Sequence, residues 1–388
     1  MGAMPRLVRR LTAAVATTAV VAGCAAPAEP ELQPGQLLTA RPLATAAALP
    51  SGETQLVTYV SDDSDGKPIV VSGTVSVPKT PPSEGGWPVI SWAHGTTGYA
   101  DTCAPSADST DGPAHDYLGP VTAMLDTWVA RGYAVVQTDY QGLGTPGGHP
   151  YIDGTSEANT VTDIVRAARD LNPDIGASWV AIGHSQGGQA ALFTAQDAGQ
   201  RAPELTLKGA VAIAPGGVGL SQAVNFVRSG RPEAAAAQAF LPLLVLGAAV
   251  VNPDITPEEI FTPQAGRLLT TGRAACLAQI RALPPVPSAQ VFAPNADVGP
   301  LNAYLDRQDP SRLTPRVPVM IAQGTDDAAV PQAGVDALTK ALCGRDAAVD
   351  YRVYAAQDHR GVIGASLADA QEFVNTVMAG QSSDTCPH

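Results

Sequence analysis

The residues best suited to chemistry lie in Gly183-His184-Ser185-Gln186-Gly187, a serine held between glycines. An apolar run at 179–182 precedes it and a stretch with helical periodicity follows. That order lets the chain turn sharply from strand into helix, exposes the hydroxyl, and sets helix N-terminal N–H groups beside it. The pentapeptide arises by chance in glycine-rich chains, so its weight comes from the flanking strand and helix. A serine hydroxyl is a poor nucleophile at neutral pH and needs a base nearby. Of the six histidines, His94 sits in a turn after an apolar run, His115 and His149 lie in polar or Gly/Pro-rich loops, His184 is inside the pentapeptide, and His388 ends the chain. His359 remains, in a loop between the run 351–354 and the last predicted helix. Such a base needs a carboxylate to fix its tautomer and stabilise its charged form. Asp326 and Asp327, after the run 317–322, offer one, although an acidic loop there also reads as a turn or helix cap. The chemistry implied is acyl transfer through a serine. Its tetrahedral intermediate needs two backbone donors. The N–H of Gln186 is one. The other is sought in Ala93-His94-Gly95-Thr96-Thr97-Gly98, with Thr96 first and Thr97 second, although a His-Gly turn at a strand end also serves a purely structural purpose.

Positioning these residues requires a sheet. The pattern from about residue 55 onward alternates apolar runs with amphipathic helical stretches, predicting an α/β fold whose mostly parallel, doubly wound sheet has helices on both faces. Runs at 55–60 and 69–77 leave no room for a helix between them and predict an antiparallel hairpin. Six further runs, at 89–92, 133–138, 179–182, 208–213, 317–322 and 351–354, predict buried strands. Helices are expected at 121–131, 157–170, 187–198, 331–342 and 366–378. The stretch 216–312 breaks the alternation: it is Ala-rich, interrupted by prolines and lacks a convincing strand, so it reads as an inserted helical cap between core segments 51–215 and 313–388. Its most apolar part, 240–251, is too short to span a bilayer and contains Pro242 and Gly247, so it reads as the core of the cap or a lid.

Length allows one large α/β domain with an insertion or two smaller domains. The net charge of -13, with no basic run beyond the first ten residues, argues against nucleic acid as a partner. Arg6, Arg9 and Arg10 followed by a short apolar segment read as an export signal over 1–23. It ends in Val21-Ala22-Gly23-Cys24, which resembles the bacterial lipobox. On that reading Cys24 carries lipid, 24–50 is a tether, and the protein is secreted and anchored to the cell membrane or surface. Cys103, Cys276, Cys343 and Cys386 remain, an even number suited to two disulfides whose pairing the spacing leaves open. No CxxC pair or His/Cys cluster suggests a zinc site.

From about residue 50 to the C-terminus the chain resembles the secretory lipase family of α/β-hydrolases, which includes the fungal lipase A enzymes. The resemblance rests on Gly183-His184-Ser185-Gln186-Gly187-Gly188, Thr138-Asp139-Tyr140-Gln141-Gly142-Leu143-Gly144, Cys103-Ala104-Pro105-Ser106, and the Asp and His segments. The first is shared by the whole superfamily; the second and third are more specific. The resemblance implies the α/β-hydrolase fold, a helical cap over the site, a lipophilic ester substrate and no cofactor. The order Ser185, Asp327, His359 is the one this superfamily uses, and a similar G-x-x-D-x-x-V-P segment favours Asp327 over Asp326. Carried onto these positions, the family's disulfides pair Cys103 with Cys276 and Cys343 with Cys386. Family members can carry an acidic residue in the oxyanion loop where this chain has Thr96-Thr97, which opens the identity of the second donor. The expected function is a carboxylic ester hydrolase, a triacylglycerol lipase or carboxylesterase. An acyltransferase would use the same three residues, and a surface lipoprotein that only binds lipid would use none of them.

Overall fold

In the computed structural model, which describes residues 1–2 and 32–387, the apolar runs become a nine-stranded sheet. All elements below belong to the unit Leu32–His388. The first strands are β1 (Leu37–Pro42), β2 (Gly52–Asp62) and β3 (Pro68–Pro78), joined antiparallel. There follow β4 (Trp87–Ala93), α1 (His115–Ala130), β5 (Ala134–Thr138), α2 (Gly154–Leu171), β6 (Ile175–His184), α3 (Gln186–Arg201) and β7 (Thr206–Ile213). Next comes a helical insertion, with α4 (Leu220–Arg228), α5 (Leu241–Val251), α6 (Pro257–Ile260), α7 (Gly266–Ala274), α8 (Leu277–Arg281) and α9 (Gly299–Arg307). The chain then returns through β8 (Val319–Gly324), α10 (Gln332–Cys343), β9 (Val349–Tyr354), α11 (Gly361–Ala365) and α12 (Leu367–Met378).

The strand order is β1-β2-β3-β5-β4-β6-β7-β8-β9, and the six strands from β5 to β9 run parallel. Each parallel strand divides its side chains between two cores, as the two-residue period of a strand requires. Trp179 and Ala181 of β6 join one core with residues of α2, α3 and α10, whereas Val180 and Ile182 join the other with α1 and α12. Val319 and Ile321 against Met320 and Ala322 do the same on β8. The sheet is thus doubly wound, as its alternating pattern predicts.

Two details depart from the sequence reading. Residues 37–42 fall in the expected tether but form β1, a mostly exposed edge strand hydrogen-bonded to β2. Its short Leu-Leu-Thr-Ala-Arg-Pro run has no alternation of apolar and polar residues to mark it as a strand; the unpaired edge of β2 supplies the template. Helix α1 begins at His115 rather than 121, because Pro120 lies inside the helix instead of opening it. Its missing N–H removes one helical hydrogen bond, and burial of Tyr117, Leu118 and Val121 offsets that loss.

The insertion between β7 and β8 packs its own core. Leu243, Leu244 and Val245 of α5 meet Val224, Leu268 and Leu301 from its other helices. Most of α5 is buried, so its uniform apolarity is that of a core helix. No single helix among the described residues is long and apolar enough to cross a membrane. The export signal and Cys24 lie outside the described residues.

Candidate active site

The parallel strands end on one edge, and the loops leaving that edge carry every residue singled out for chemistry. Ser185 follows β6, Asp327 follows β8, His359 follows β9, and Thr96 follows β4. Open α/β sheets place their sites at the carboxyl ends of their strands for this topological reason.

Ser185 has φ 58° and ψ -116°, a conformation that a β-carbon disfavours. Its N–H donates to the carbonyl of Ile213, and its own carbonyl accepts from Gln189 and Gly216, so both neighbours hold the strained turn. The flanking glycines are sterically required. A β-carbon on Gly183 would lie 2.0 Å from the carbonyl oxygen of Gly187, and one on Gly187 would lie 1.8 Å from that of Ala93. Strand, turn and helix therefore close on each other only with hydrogen at those positions.

His359 places Nε2 2.9 Å from Ser185 Oγ and Nδ1 2.7 Å from Asp327 Oδ2. Asp327 is buried, and its Oδ1 accepts from the backbone N–H groups of Ala329 and Val330, each at 2.8 Å. Burial opposes its charge, but the hydrogen bond and charge of His359 and those two N–H groups outweigh it and hold the carboxyl below its ordinary range. Asp326 is exposed and accepts from the Thr325 hydroxyl instead. The structure thus brings Ser185, His359 and Asp327 into one chain of hydrogen bonds and leaves Asp326 outside it.

Gln186 opens α3, so its N–H is among the helix donors without an intrahelical partner. Its side chain donates to Glu157 Oε1 at 2.7 Å and to His149 Nε2 at 3.1 Å. His149 must therefore accept at Nε2 and donate Nδ1–H to the Gln141 carbonyl. Across the cavity, Thr96 borders the space that Ser185 and His359 also line, and its hydroxyl is paired with that of Tyr151 at 2.8 Å. Thr97 is buried and accepts from the Leu277 N–H through its carbonyl.

A second chain of bonds runs behind the first. Gly95 N–H donates to Tyr117 Oη at 2.7 Å, Tyr117 lies 3.1 Å from His184 Nδ1, and His184 Nε2 reaches the His359 carbonyl at 2.7 Å. That carbonyl only accepts, so His184 is protonated on Nε2 and receives the Tyr117 O–H on Nδ1. Burial, then the neighbouring His359, lower the His184 pKa to about 3, so the ring is neutral. Neither Tyr117 nor Glu157 has a sequence signal of its own. Tyr117 lies ahead of the helix expected at 121–131, and Glu157 opens the one expected at 157–170, where a solvated acid in the first turn is the ordinary reading.

The two specific motifs meet in space. Asp139 accepts from Ser106 Oγ at 2.5 Å, Ser106 N–H at 2.8 Å and Ser72 Oγ at 2.7 Å. The aspartate of one motif thereby holds the serine of the other, beside Cys103. Cys103 is disulfide-bonded to Cys276 at the start of α8, and Cys343 to Cys386. The first bridge ties the loop after β4 to the insertion, where Leu277 and Arg281 join Phe240 in lining the cavity beside Ser185. That cavity holds about 30 Å³, room for one or two waters. Among the described residues no group of His, Cys, Asp or Glu is arranged to hold a metal ion.

Comparison with known proteins agrees with this architecture. The secretory lipase family model matches residues 120–225, which hold the Asp139 and Ser185 motifs. Candida antarctica lipase A in its closed state superposes with a TM-score of 0.77 at 20% identity, covering 92% of this chain and 84% of that one. The rice cell wall degrading esterase LipA from Xanthomonas oryzae gives 0.67 at 21% identity, covering 92% and 99%. A putative hydrolase from Legionella pneumophila gives 0.70 at 20% identity, covering 90% and 100%. No curated protein matches the sequence. The fold is that of the α/β-hydrolases.

Proposed function

We propose that this chain, which resembles the secretory lipase family and has the α/β-hydrolase fold, is a serine hydrolase that cleaves carboxylic esters of lipophilic substrates, as a carboxylesterase or triacylglycerol lipase. The observation that carries the proposal is the path Ser185 Oγ, His359 Nε2, His359 Nδ1, Asp327 Oδ2, with steps of 2.9 and 2.7 Å across the ring.

In the mechanism we infer, His359 takes the Ser185 proton as Oγ attacks the ester carbonyl carbon, and Asp327 steadies the imidazolium. The carbonyl oxygen becomes an oxyanion facing the N–H groups of Gln186 and Thr96. Collapse of this intermediate breaks the bond to the alcohol, which leaves with the proton from His359. Water then attacks the acyl-Ser185 ester with His359 again as base, releasing the acid and restoring the serine. Residues 216–312 act as a cap, because Phe240, Leu277 and Arg281 wall the cavity and must part for a long acyl chain to enter. The protein is exported through residues 1–23 and anchored through lipid on Cys24; mass spectrometry of protein from its native membrane tests that attachment.

Hydrolysis of 4-nitrophenyl butyrate and palmitate by the wild type and Ser185→Ala tests the proposal. Loss of both activities in the variant supports it, and the ratio of the two rates separates an esterase from a lipase. Retention of most activity refutes the assignment.

A further inference from the structure

Two arginines converge on the mouth of this site. Arg281, at the end of α8, and Arg360, directly after His359, both line the cavity of Ser185 and His359. Both also line an adjoining cavity of about 210 Å³ that reaches past Thr96, Thr97 and Pro113. Each guanidinium lies over an aromatic ring, Arg281 at 5.2 Å from the Phe240 centroid and Arg360 at 5.4 Å from that of Tyr117. Stacking of this kind fixes the plane of a guanidinium while leaving its N–H edge free.

Neither side chain has an ion pair or hydrogen bond among the described residues, in a chain with 36 acidic and 23 basic side chains. Elsewhere Arg166, Arg201, Arg273 and Arg352 are each paired with a carboxylate. Asp358, next in sequence to His359, spends its Oδ1 on the backbone N–H groups of Arg360 and Gly361. Asp116 borders the outer cavity but forms no ion pair with either arginine. The charges of the two arginines oppose each other. Like charges facing a shared space beside a reaction centre are relieved when an anion enters between them.

We propose that Arg281 and Arg360 form an anion-binding subsite that selects esters carrying a carboxylate or phosphate a few atoms from the scissile carbonyl. This rests on the ester-hydrolase reading above. The charge belongs either to the acyl part or to the alcohol, and both present the same chemistry to the arginines.

The test compares wild type, Arg281→Gln, Arg360→Gln and the double variant on three esters. They are 4-nitrophenyl butyrate, mono-4-nitrophenyl succinate with the charge on the acyl part, and 4-(butyryloxy)benzoate with the charge on the alcohol. The ratio of kcat/KM for one anionic ester to that for the neutral butyrate falls at least about tenfold in the double variant, and the ester affected identifies the side that bears the charge. Ratios unchanged for both anionic esters overturn the proposal. Calorimetric titration of succinate into the Ser185→Ala protein reads the subsite without turnover. Binding weakened about tenfold by the double substitution supports it, and absence of binding overturns it. If no ester is hydrolysed by the wild type, the hydrolase reading fails and the titration alone decides the subsite.

Discussion

His184 donates its Nε2–H to the main-chain carbonyl of His359 at 2.7 Å. The residue preceding Ser185 thus holds the backbone of the residue whose ring faces Ser185 Oγ. Tyr117 completes the link by joining His184 to the N–H of Gly95, at the start of the loop that carries Thr96. Ser185, the His359 imidazole and the loop that carries Thr96 are therefore registered against one another through a buried tyrosine on α1.

Replacing Tyr117 with Phe removes both of its hydrogen bonds and little volume. The buried Gly95 N–H loses its acceptor, at a cost of about 1–3 kcal/mol. The expected result is a fall in kcat of about tenfold with a smaller change in KM, because the loss lies in alignment. Steady-state kinetics on a neutral short-chain ester reads it, and an unchanged kcat speaks against the linkage.

Asp326 and Asp327 are neighbours with opposite expected fates. Asp327→Asn exchanges the acceptor facing His359 Nδ1 for an amide and is expected to lower kcat by about 10³–10⁴. Asp326→Asn touches only the Thr325 hydroxyl and is expected to change kcat by less than about twofold. Equal losses in the two variants would contradict the assignment of the acid.

Glu157 is fully buried, and its Oε1 accepts from the Gln186 side chain and the Ile152 N–H. Burial, the largest influence, pushes its pKa well above the ordinary value and so favours the neutral acid. A neutral amide then reproduces the acceptor. Glu157→Gln is expected to retain folding and activity, whereas Glu157→Leu strands the Gln186 amide and costs about 1–3 kcal/mol. Thermal denaturation and kcat measured together distinguish the pair; equal behaviour of Gln and Leu would remove the hydrogen bond from the explanation.

Three buried histidines give the protein an acid sensitivity whose direction is fixed. Burial lowers the pKa of His94 to about 4 and those of His149 and His184 to about 3, from an ordinary value of 6.5. Above 6.5 both folded and unfolded chains leave these rings neutral. Below it the unfolded chain takes up protons that the folded chain refuses, so stability falls toward pH 3–4 by up to about 1.4 kcal/mol per pH unit and ring. Glu157 works in the opposite sense: its raised pKa contributes stability below 4.5 that is lost as pH rises through the folded value. Imidazole nitrogen shifts are expected to show the three rings still neutral at about pH 5 while free histidine is protonated. Protonation of any of them in the folded protein by then contradicts the stated environment.

The local chemistry was legible in the sequence because short-range rules govern it. Two glycines around Ser185 announce a turn too tight for side chains, and the continuous apolar runs at 179–182 and 317–322 announce strands buried on both faces. The parallel sheet follows from the alternation of such runs with amphipathic helical stretches. Four relationships required the tertiary structure. The exposed strand 37–42 forms because β2 offers an open edge, which no residue in the strand itself records. Asp139 and Ser106 meet across 33 positions of sequence, and Glu157 reaches Gln186 across 29, through packing alone. Arg281 and Arg360 read as ordinary surface cations until the fold sets them on one rim. Hydrophobic periodicity and backbone sterics act between near neighbours and are written into residue order, whereas hydrogen bonds and charges depend on distances that only packing sets.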